Sequence, residues 1–318
     1  MFSTIAALII LASNFLVART GLVLSIPVLF YFLLNEKKRT LLVLSILLSI
    51  GLPYVFFIFE NDWYYNYTIG IFNNLLELDK WILEEFKDLQ KDIVEHYESY
   101  SYHLVVQRIH NFCVNQLGGV YLDIVKDRQY TTQQNSNIRR SAQTAMKLII
   151  DQLVILIAPI LSFTAEEIWQ NDADLTANKA SVFLAELDSI PDFDSNLDQE
   201  SWSRLLEIKD NVNQKIEESR NAGEIKGSLD TEIELTVNTS DFQLLKNLST
   251  ELHFFFIVSS CNLVQGDDLE VRIKQSTFKK CTRCWHRNNS VSKSLKHPEL
   301  CKRCELNIDG AGEDRKFA

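Results

Sequence analysis

The sequence predicts a mainly α-helical protein whose helices are followed by a small α+β unit and a four-cysteine finger. From Leu75 onward, apolar residues recur every three or four positions over several long segments, which is the spacing of amphipathic helices. Between residues 233 and 273 two short stretches alternate with a period of two, which indicates strands. Near the end, four cysteines form two close pairs, Cys281 with Cys284 and Cys301 with Cys304.

The composition divides the 318 residues into two unequal parts. Residues 1–59 are almost entirely apolar, whereas the remainder has the composition of an acidic globular protein, and the formal net charge of the chain is -10. This length allows more than one hydrophobic core. Of the six cysteines, two lie outside the pairs and far apart in sequence, and unpaired thiols favour a reducing compartment.

The apolar N-terminal segment, residues 1–60, contains two runs of membrane-spanning length, 1–34 and 41–59. The basic loop between them would lie in the cytosol by the positive-inside rule, which would send residues 60–318 to the other side. That location does not suit reduced cysteines, and we expect residues 60–318 to be cytoplasmic. Three interpretations of residues 1–59 stay open: a helical hairpin, an unusual membrane anchor, and a start that is foreign to the rest of the chain. A signal peptide is less favoured, because the segment is too long and lacks a charged beginning.

Three helices are predicted next. The first begins near Leu75, and the second carries a broad apolar stripe from Tyr102 to Ile124, as expected of a central bundle helix. Gly118 and Gly119 lie inside the second helix, where each lowers helix propensity by about 1 kcal/mol. This cost would be tolerated if another helix approaches closely there. The third helix runs from about residue 138 to 158 and stops at a proline.

The chain then changes character. Thr164 and Glu167 have the spacing of a capping box, which predicts a short helix after residue 163. A further helix is predicted from about Glu200 to Ala222, ended by Gly223. The α+β unit comes next, with alternating apolar residues at 233–237 and 269–273, a helical stretch at 244–252 and an apolar run at 254–258.

The four cysteines have the spacing of a closed zinc site. Each pair has two residues between its cysteines, which lets both sulfurs face one point, and sixteen residues separate the pairs. Four thiolates leave no coordination position for water or substrate, so we expect one structural Zn²⁺. The alternatives are two disulfides or four unrelated free thiols. We call Cys281–Cys284 the first knuckle and Cys301–Cys304 the second knuckle.

Positive charge is concentrated around the knuckles. From Arg272 to the end, 12 Lys and Arg residues stand against 5 Asp and Glu residues. Such a patch beside exposed rings suits a nucleic-acid backbone and an unstacked base. The alternative is that the cations offset the thiolates and that Trp285 packs over the metal.

Several motifs resemble, in one order, the anticodon-binding and zinc-finger regions at the C-terminal end of bacterial isoleucyl-tRNA synthetase, a class I aminoacyl-tRNA synthetase family. The resemblance covers about Leu78 to the last residue and implies a tRNA(Ile) partner. It also implies an anticodon-binding helical bundle at 72–172, a connecting helix and α+β unit at 173–275, and a four-cysteine zinc finger at 276–318. The motifs are Tyr121-Leu-Asp-Ile-Val-Lys-Asp-Arg-Gln-Tyr130, Arg139-Arg-Ser-Ala-Gln-Thr144, Ala158-Pro-Ile-Leu-Ser-Phe-Thr-Ala-Glu-Glu-Ile-Trp169, Gly227-Ser-Leu229, Cys281-Thr-Arg-Cys-Trp-His286 and Arg315-Lys-Phe-Ala318.

The sequence departs from this family in its chemistry. The family's His-Ile-Gly-His-like and Lys-Met-Ser-Lys-Ser-like motifs, which contact ATP, and its editing domain are absent from the sequence, and so is a GxxxxGK phosphate loop. We therefore expect no catalytic residue here, and ATP would act only through a separate catalytic domain. Whether the chain serves an enzyme stays open, and the alternative is a non-catalytic, membrane-anchored or free, zinc-dependent RNA-binding adaptor. Formamidopyrimidine-type DNA glycosylases end in a similar finger, but Met1-Phe2-Ser3 does not supply their N-terminal proline nucleophile.

The RNA contacts expected from charge, rings and the resemblance lie on the bundle and on the finger. For Lys126 and Arg128 the alternative is a helix-dipole role, for Arg139 and Arg140 a solvated helix start, and for Trp285 packing. His286 is a second candidate for stacking on a base, whereas Tyr121 and Trp169 are predicted to be core. The candidate contacts are Lys126, Arg128, Arg139, Arg140, Arg283, Trp285, Arg287, Lys302 and Arg303.

Overall fold

The computed structural model describes residues 74–248 and 250–318. The predictions for residues 1–60, including the membrane anchor, lie outside these ranges. Among the helices that are described, none combines the length and the apolar character needed to cross a membrane.

The described residues are mainly helical, as predicted, with a small sheet late in the chain. Periodicity located most of the long helices to within a residue or two at each end, whereas the second continues past its predicted apolar stripe to Thr131. The α-helices of the described residues are α1 (Glu77–Glu98), α2 (Tyr102–Asn111), α3 (Asp123–Thr131), α4 (Asn137–Ile157), α5 (Ser162–Asn171), α6 (Ala173–Asn178), α7 (Gln199–Asn221), α8 (Thr239–Lys246), α9 (Leu252–Phe255) and α10 (Lys302–Asp309).

Helix α1 is the centre of the bundle. Its apolar residues recur every three or four positions, and the face that they form is buried against α2 and α4. Truncating one such side chain to alanine typically costs about 2 to 5 kcal/mol of stability. The buried apolar residues of this face are Leu78, Ile82, Phe86, Leu89 and Ile93.

The predicted second helix is continuous, but its middle is π-helical. Residues Phe112–Leu122 form this π-segment, between α2 and α3. A Cβ atom at Gly118 would lie 2.9 Å from the carbonyl oxygen of Cys113, and one at Gly119 would lie 3.1 Å from that of Val114. No other described helix has an atom within 4 Å of either position, so a closely approaching helix does not account for the two glycines. The glycines leave room for carbonyl groups of their own widened turns.

The start of α5 also differs from the prediction. The helix begins at Ser162, so Thr164 lies inside its first turn and no capping box forms. The hydroxyl of Ser162 instead donates to the carbonyl of Ala158, 2.9 Å away. Glu166 has a structural role nearby, because its carboxylate accepts from the Ser181 hydroxyl and the Val182 amide at 2.8 and 3.0 Å.

The sheet has three strands in the order β2-β1-β3. Strand β1 (Thr231–Val237) pairs in parallel with β2 (Ser260–Gln265) and antiparallel with β3 (Glu270–Gln275). The alternations at 233–237 and 269–273 were confirmed as strands. The helical stretch predicted at 244–252 was misplaced, because Asn238 caps α8 and starts it earlier. Strand β2 was missed. The apolar run at 254–258 contains the end of the short α9 and a left-handed turn at Ile257 (φ 54°), and the strand begins only after this run.

The last four residues, Arg315–Ala318, form a tail that packs into the core. The carboxylate of Glu251 accepts hydrogen bonds from the amides of Lys316, Phe317 and Ala318 at 2.9, 3.0 and 2.8 Å. The carbonyl of Phe317 accepts from the Leu78 amide at the start of α1, 3.0 Å away. The Phe317 ring stacks on Trp202 of α7, with centroids 5.2 Å apart. The tail thus joins the bundle, α7 and the sheet unit.

A buried lysine lies on α7. The ammonium of Lys209 donates to the carbonyl of Phe255 at 2.7 Å and lies 5.4 Å from the centroid of its ring. Burial lowers the pKa of Lys209 to about 8. Between this pKa and the ordinary value near 10.5, the unfolded chain binds more protons than the folded one, so stability rises with pH across that window.

We predict that Lys209→Met removes this pH dependence. The stability of the wild type relative to the variant should rise by about 3 kcal/mol between pH 7.5 and pH 10.5, because a pKa unit is worth about 1.4 kcal/mol. Urea unfolding of both proteins at several pH values measures this difference. Parallel stability curves for the two proteins would show that Lys209 titrates normally.

Candidate nucleic-acid interface and metal centre

The four knuckle cysteines converge on one point. Their sulfur atoms all lie within 4.8 Å of one another, and the sulfurs of Cys284 and Cys301 are 3.7 Å apart. Tetrahedral zinc with bonds of about 2.3 Å places its sulfurs about 3.8 Å apart, so the spacing fits the metal. All four residues are buried and none is in a disulfide, so the disulfide alternative is not what the structure shows.

The two knuckles differ in backbone conformation. The first is a turn, in which the Trp285 amide donates to the carbonyl of Cys281 at 3.0 Å and the Cys281 amide donates to that of His286 at 2.9 Å. The second opens α10, with Cys301 at its N-cap and Cys304 in its first turn. The amide of Cys301 also donates to the sulfur of Cys281 at 3.3 Å, which ties the knuckles together.

Each knuckle places an arginine on the same bundle helix, α3. Arg283, inside the first knuckle, donates to the carbonyls of Tyr130 and Thr131 at 3.3 Å each. Arg303, inside the second, makes a two-pronged pair with Asp127 at 2.7 and 2.8 Å. Both residues were predicted as RNA contacts. The guanidinium of Arg303 is instead paired with a carboxylate of the protein. Arg283 stays exposed and caps the end of α3.

Asp127 is the centre of this junction. It also pairs with Arg315 of the tail, and Glu313 bridges Arg303 and Arg315 at 3.2 and 3.0 Å. Burial raises the pKa of Asp127, but the guanidinium groups of Arg303 and Arg315 outweigh it and hold that pKa well below its ordinary value. Sequence reasoning missed Asp127, because a single carboxylate between Lys126 and Arg128 has no pattern of its own.

The prediction that Arg128 contacts RNA is wrong. Its side chain is 0% exposed and pairs with both carboxylate oxygens of Asp79 on α1, at 2.9 and 2.7 Å. Tyr121 donates to the same carboxylate at 2.7 Å, and so does the hydroxyl of Ser141. Removing one partner of a buried pair of this kind costs about 3 to 5 kcal/mol. Arg128 therefore holds α3 to α1, and Tyr121 is core as predicted.

The other bundle candidates are accessible to different degrees. Lys126 is exposed on α3 and pairs with Asp123 at 2.6 Å. Arg140 is exposed at the start of α4 and donates to Asn135 at 2.9 Å. Arg139 is half-buried, and its carbonyl accepts a 3.5 Å hydrogen bond from Gln129 of α3. Lys126 thus lies on the helix that carries the junction, and Arg139 is linked to it.

Trp285 is the exposed ring of the finger. Its side chain is 59% exposed, and the Lys280 ammonium lies 5.3 Å from the ring centroid. The alternative that its indole packs over the metal is therefore not supported. Trp285 has a left-handed backbone (φ 66°), and the next residue, His286, is buried. His286 is in hydrogen-bond contact with the Cys284 carbonyl at 3.1 Å, so the expectation that it stacks on a base is wrong.

Two further finger candidates have opposite environments. Arg287 is half-buried and pairs with Asp230 at 2.7 Å, while its backbone amide donates to Ser259 at 2.7 Å. It joins the finger to the sheet unit, which leaves it little freedom to bind a ligand. Lys302 is exposed at the start of α10.

Comparisons with known proteins identify the two halves of this junction. Residues 79–235 match the family described as anticodon-binding domain of tRNA ligase, and residues 278–307 match the zinc finger found in FPG and IleRS. The chain carries the anticodon-binding domain of a tRNA ligase. The first match begins at Asp79 and extends past the predicted bundle at 72–172, through α7 and into β1.

Similar proteins include isoleucine–tRNA ligases from several bacteria. The one from Teredinibacter turnerae is 42% identical over 262 residues, which is 78% of this chain and 28% of the relative. That of Saccharophagus degradans is 43% identical over 256 residues, 77% of this chain and 27% of the relative. That of Ruthia magnifica is 44% identical over 255 residues, with 77% and 27% covered. The chain thus matches little more than a quarter of the length of these relatives.

The two matched ranges include the arginines whose environments are described above. The buried Asp79–Arg128 pair lies inside the tRNA-ligase domain, and the finger match contains all four cysteines and both knuckle arginines. The candidates that remain exposed are Lys126, Arg140, Arg283, Trp285 and Lys302.

Proposed function

We propose that this chain binds tRNA, and isoleucine tRNA in particular, as the tRNA-holding C-terminal region of an isoleucyl-tRNA synthetase. The match of residues 79–235 to the anticodon-binding domain carries this proposal. The relatives from Teredinibacter, Saccharophagus and Ruthia are named isoleucine–tRNA ligase, which favours the synthetase interpretation over a separate adaptor. The proposed location of residues 60–318 is the cytoplasm, where tRNA is charged.

The exposed candidates suit the two kinds of contact that RNA recognition requires, which are ion pairs with phosphates and stacking on bases. Lys126, Arg283 and Lys302 offer cations to phosphates, which position the RNA without reading its sequence. Trp285 offers a ring for an unstacked base, and single-stranded loops such as anticodons are recognised by splaying and stacking their bases. The nearby Lys280 adds positive charge beside that ring.

The proposed metal is a single structural zinc, held by Cys281, Cys284, Cys301 and Cys304. The convergence of four buried sulfurs supports it. When bound, the metal would fix the relative position of two short loops that otherwise share few apolar contacts. The cluster of buried residues around it adds only Val291 and Leu300 to the four cysteines.

The proposed role in the ligase reaction is limited to holding tRNA. The sequence has no recognisable ATP-binding motif, so ATP-dependent activation of isoleucine would belong to a catalytic domain that this sequence does not match. That domain is a proposed partner.

We expect the full chain to contain one zinc per molecule, and Cys301→Ser combined with Cys304→Ser to lose it, because two sulfurs cannot hold the metal in a closed site. Elemental analysis after extensive dialysis measures the ratio. The matched control replaces the half-buried Cys261, which lies outside the cluster, by serine and should keep the metal. Less than half an equivalent of zinc in the wild type would contradict the metal assignment.

The full chain should bind isoleucine tRNA more tightly than a tRNA of similar size with another anticodon. Trp285→Ala should weaken binding by about 1 to 3 kcal/mol through lost stacking. Lys302→Gln should weaken binding to both tRNAs and reduce the salt slope by about one. Filter binding across a salt series, with far-ultraviolet circular dichroism and zinc content checked for each variant, gives these values.

The control for that experiment is Lys91→Gln, an exposed lysine on α1 outside the knuckles. It should bind as the wild type does. Equal affinity of the wild type for both tRNAs would leave only phosphate binding and would reject the anticodon assignment.

A further inference from the structure

An exposed aromatic ring ends α3. The side chain of Tyr130 is 75% exposed, although Ile124, Val125 and Arg128 on the same helix are buried. Tyr130 was not among the contacts predicted from the sequence. Nothing about its spacing separates it from a core residue, because exposure is a property of the folded chain.

The ring lies at the junction between the bundle and the finger. Tyr130 is one turn after Lys126, so the two side chains share one side of α3. Its carbonyl accepts a hydrogen bond from Arg283 of the first knuckle, and the exposed Trp285 is only two residues beyond Arg283. The end of α3 is therefore continuous with the part of the finger proposed to bind RNA.

The negative groups of α3, at its start as well as at its C-terminal end, are partnered within the protein. A helix C-terminus carries partial negative charge, which repels a polyanion. Arg283 donates to the last carbonyls of α3, and Asp127 pairs with Arg303 and Arg315. Asp123 pairs with Lys126. The surroundings of the ring are thus suited to the approach of a nucleic acid.

We propose that Tyr130 stacks on an unpaired base of the RNA that the finger binds, so that the RNA surface continues from the first knuckle onto α3. This inference rests on the proposed tRNA-binding function. A tyrosine offers a flat, amphipathic face that every base can stack on. Arg283 is a positioning residue here, because it holds the end of the helix that presents the ring.

Three variants at Tyr130 test the stacking role. In the full chain purified with zinc, Tyr130→Ala and Tyr130→Leu should weaken the binding of isoleucine tRNA by about 5- to 150-fold, the range measured for lost base stacking. Tyr130→Phe keeps the ring and should bind as the wild type does. The salt dependence should be the same in all four proteins, because no charge changes.

The matched control is Phe163→Ala, which removes a 93% exposed ring on α5, outside the junction. It should leave affinity unchanged, and thermal unfolding should show all variants folded, since each site is exposed.

Three outcomes overturn the inference. Wild-type affinity of Tyr130→Ala, together with weakened binding by Trp285→Ala, would reject stacking at Tyr130 while the tRNA-binding function stands. Equal losses in Tyr130→Phe and Tyr130→Ala would assign the effect to the hydroxyl instead of the ring. Failure of the wild type to bind isoleucine tRNA would reject both the inference and the proposed function.

Discussion

A carboxylate that is only 14% exposed, that of Asp127, holds the two proposed RNA-binding parts of this protein together. Arg303 from the second knuckle and Arg315 from the tail both pair with it, and Arg283 from the first knuckle binds the end of the same helix. Because Arg283 and Arg303 each lie between two cysteines of the cluster, whatever fixes the sulfurs also fixes these guanidinium groups. The orientation of the finger on α3 therefore depends on the metal centre.

Helix α3 transmits this constraint to the bundle through adjacent residues. Asp127 pairs with the finger, while Arg128, about 100° further round the helix, pairs with the fully buried Asp79 of α1. Helix α3 therefore carries opposite charges on two of its sides, and an ion pair holds it in place on each side. The tail reinforces the connection, since Arg315 reaches Asp127 while the next three residues bind Glu251 and the start of α1. The RNA contacts proposed on α3 are consequently carried by a rigid element.

Sequence reasoning succeeded where a pattern has one physical cause. Two cysteine pairs at this spacing have few uses besides binding a common metal. An apolar period of 3.6 residues predicts both the position of a helix and the face that it buries. Strands β1 and β3 were found because their inner residues alternate. Strand β2 was missed, because its polar and apolar residues alternate over only four positions before Leu263 and Val264 break the pattern.

The side-chain pairs could not be predicted in the same way. Arg128 and Arg303 have the sequence appearance of surface cations. Asp79 and Asp127, which are 49 and 176 residues away from them along the chain, neutralise them. A single sequence does not reveal such distant partners. For the same reason Tyr130, which is exposed, and Tyr121, which is buried, could not be told apart by residue type.

Hydrogen exchange of the full chain, with zinc bound and after its removal by a chelator, tests the coupling between metal and bundle most directly. Zinc removal should increase exchange in the finger and also at the C-terminal end of α3, around residues 127–132, while the middle of α1 should stay protected. Faster exchange confined to the finger, with α3 unchanged, would contradict this coupling.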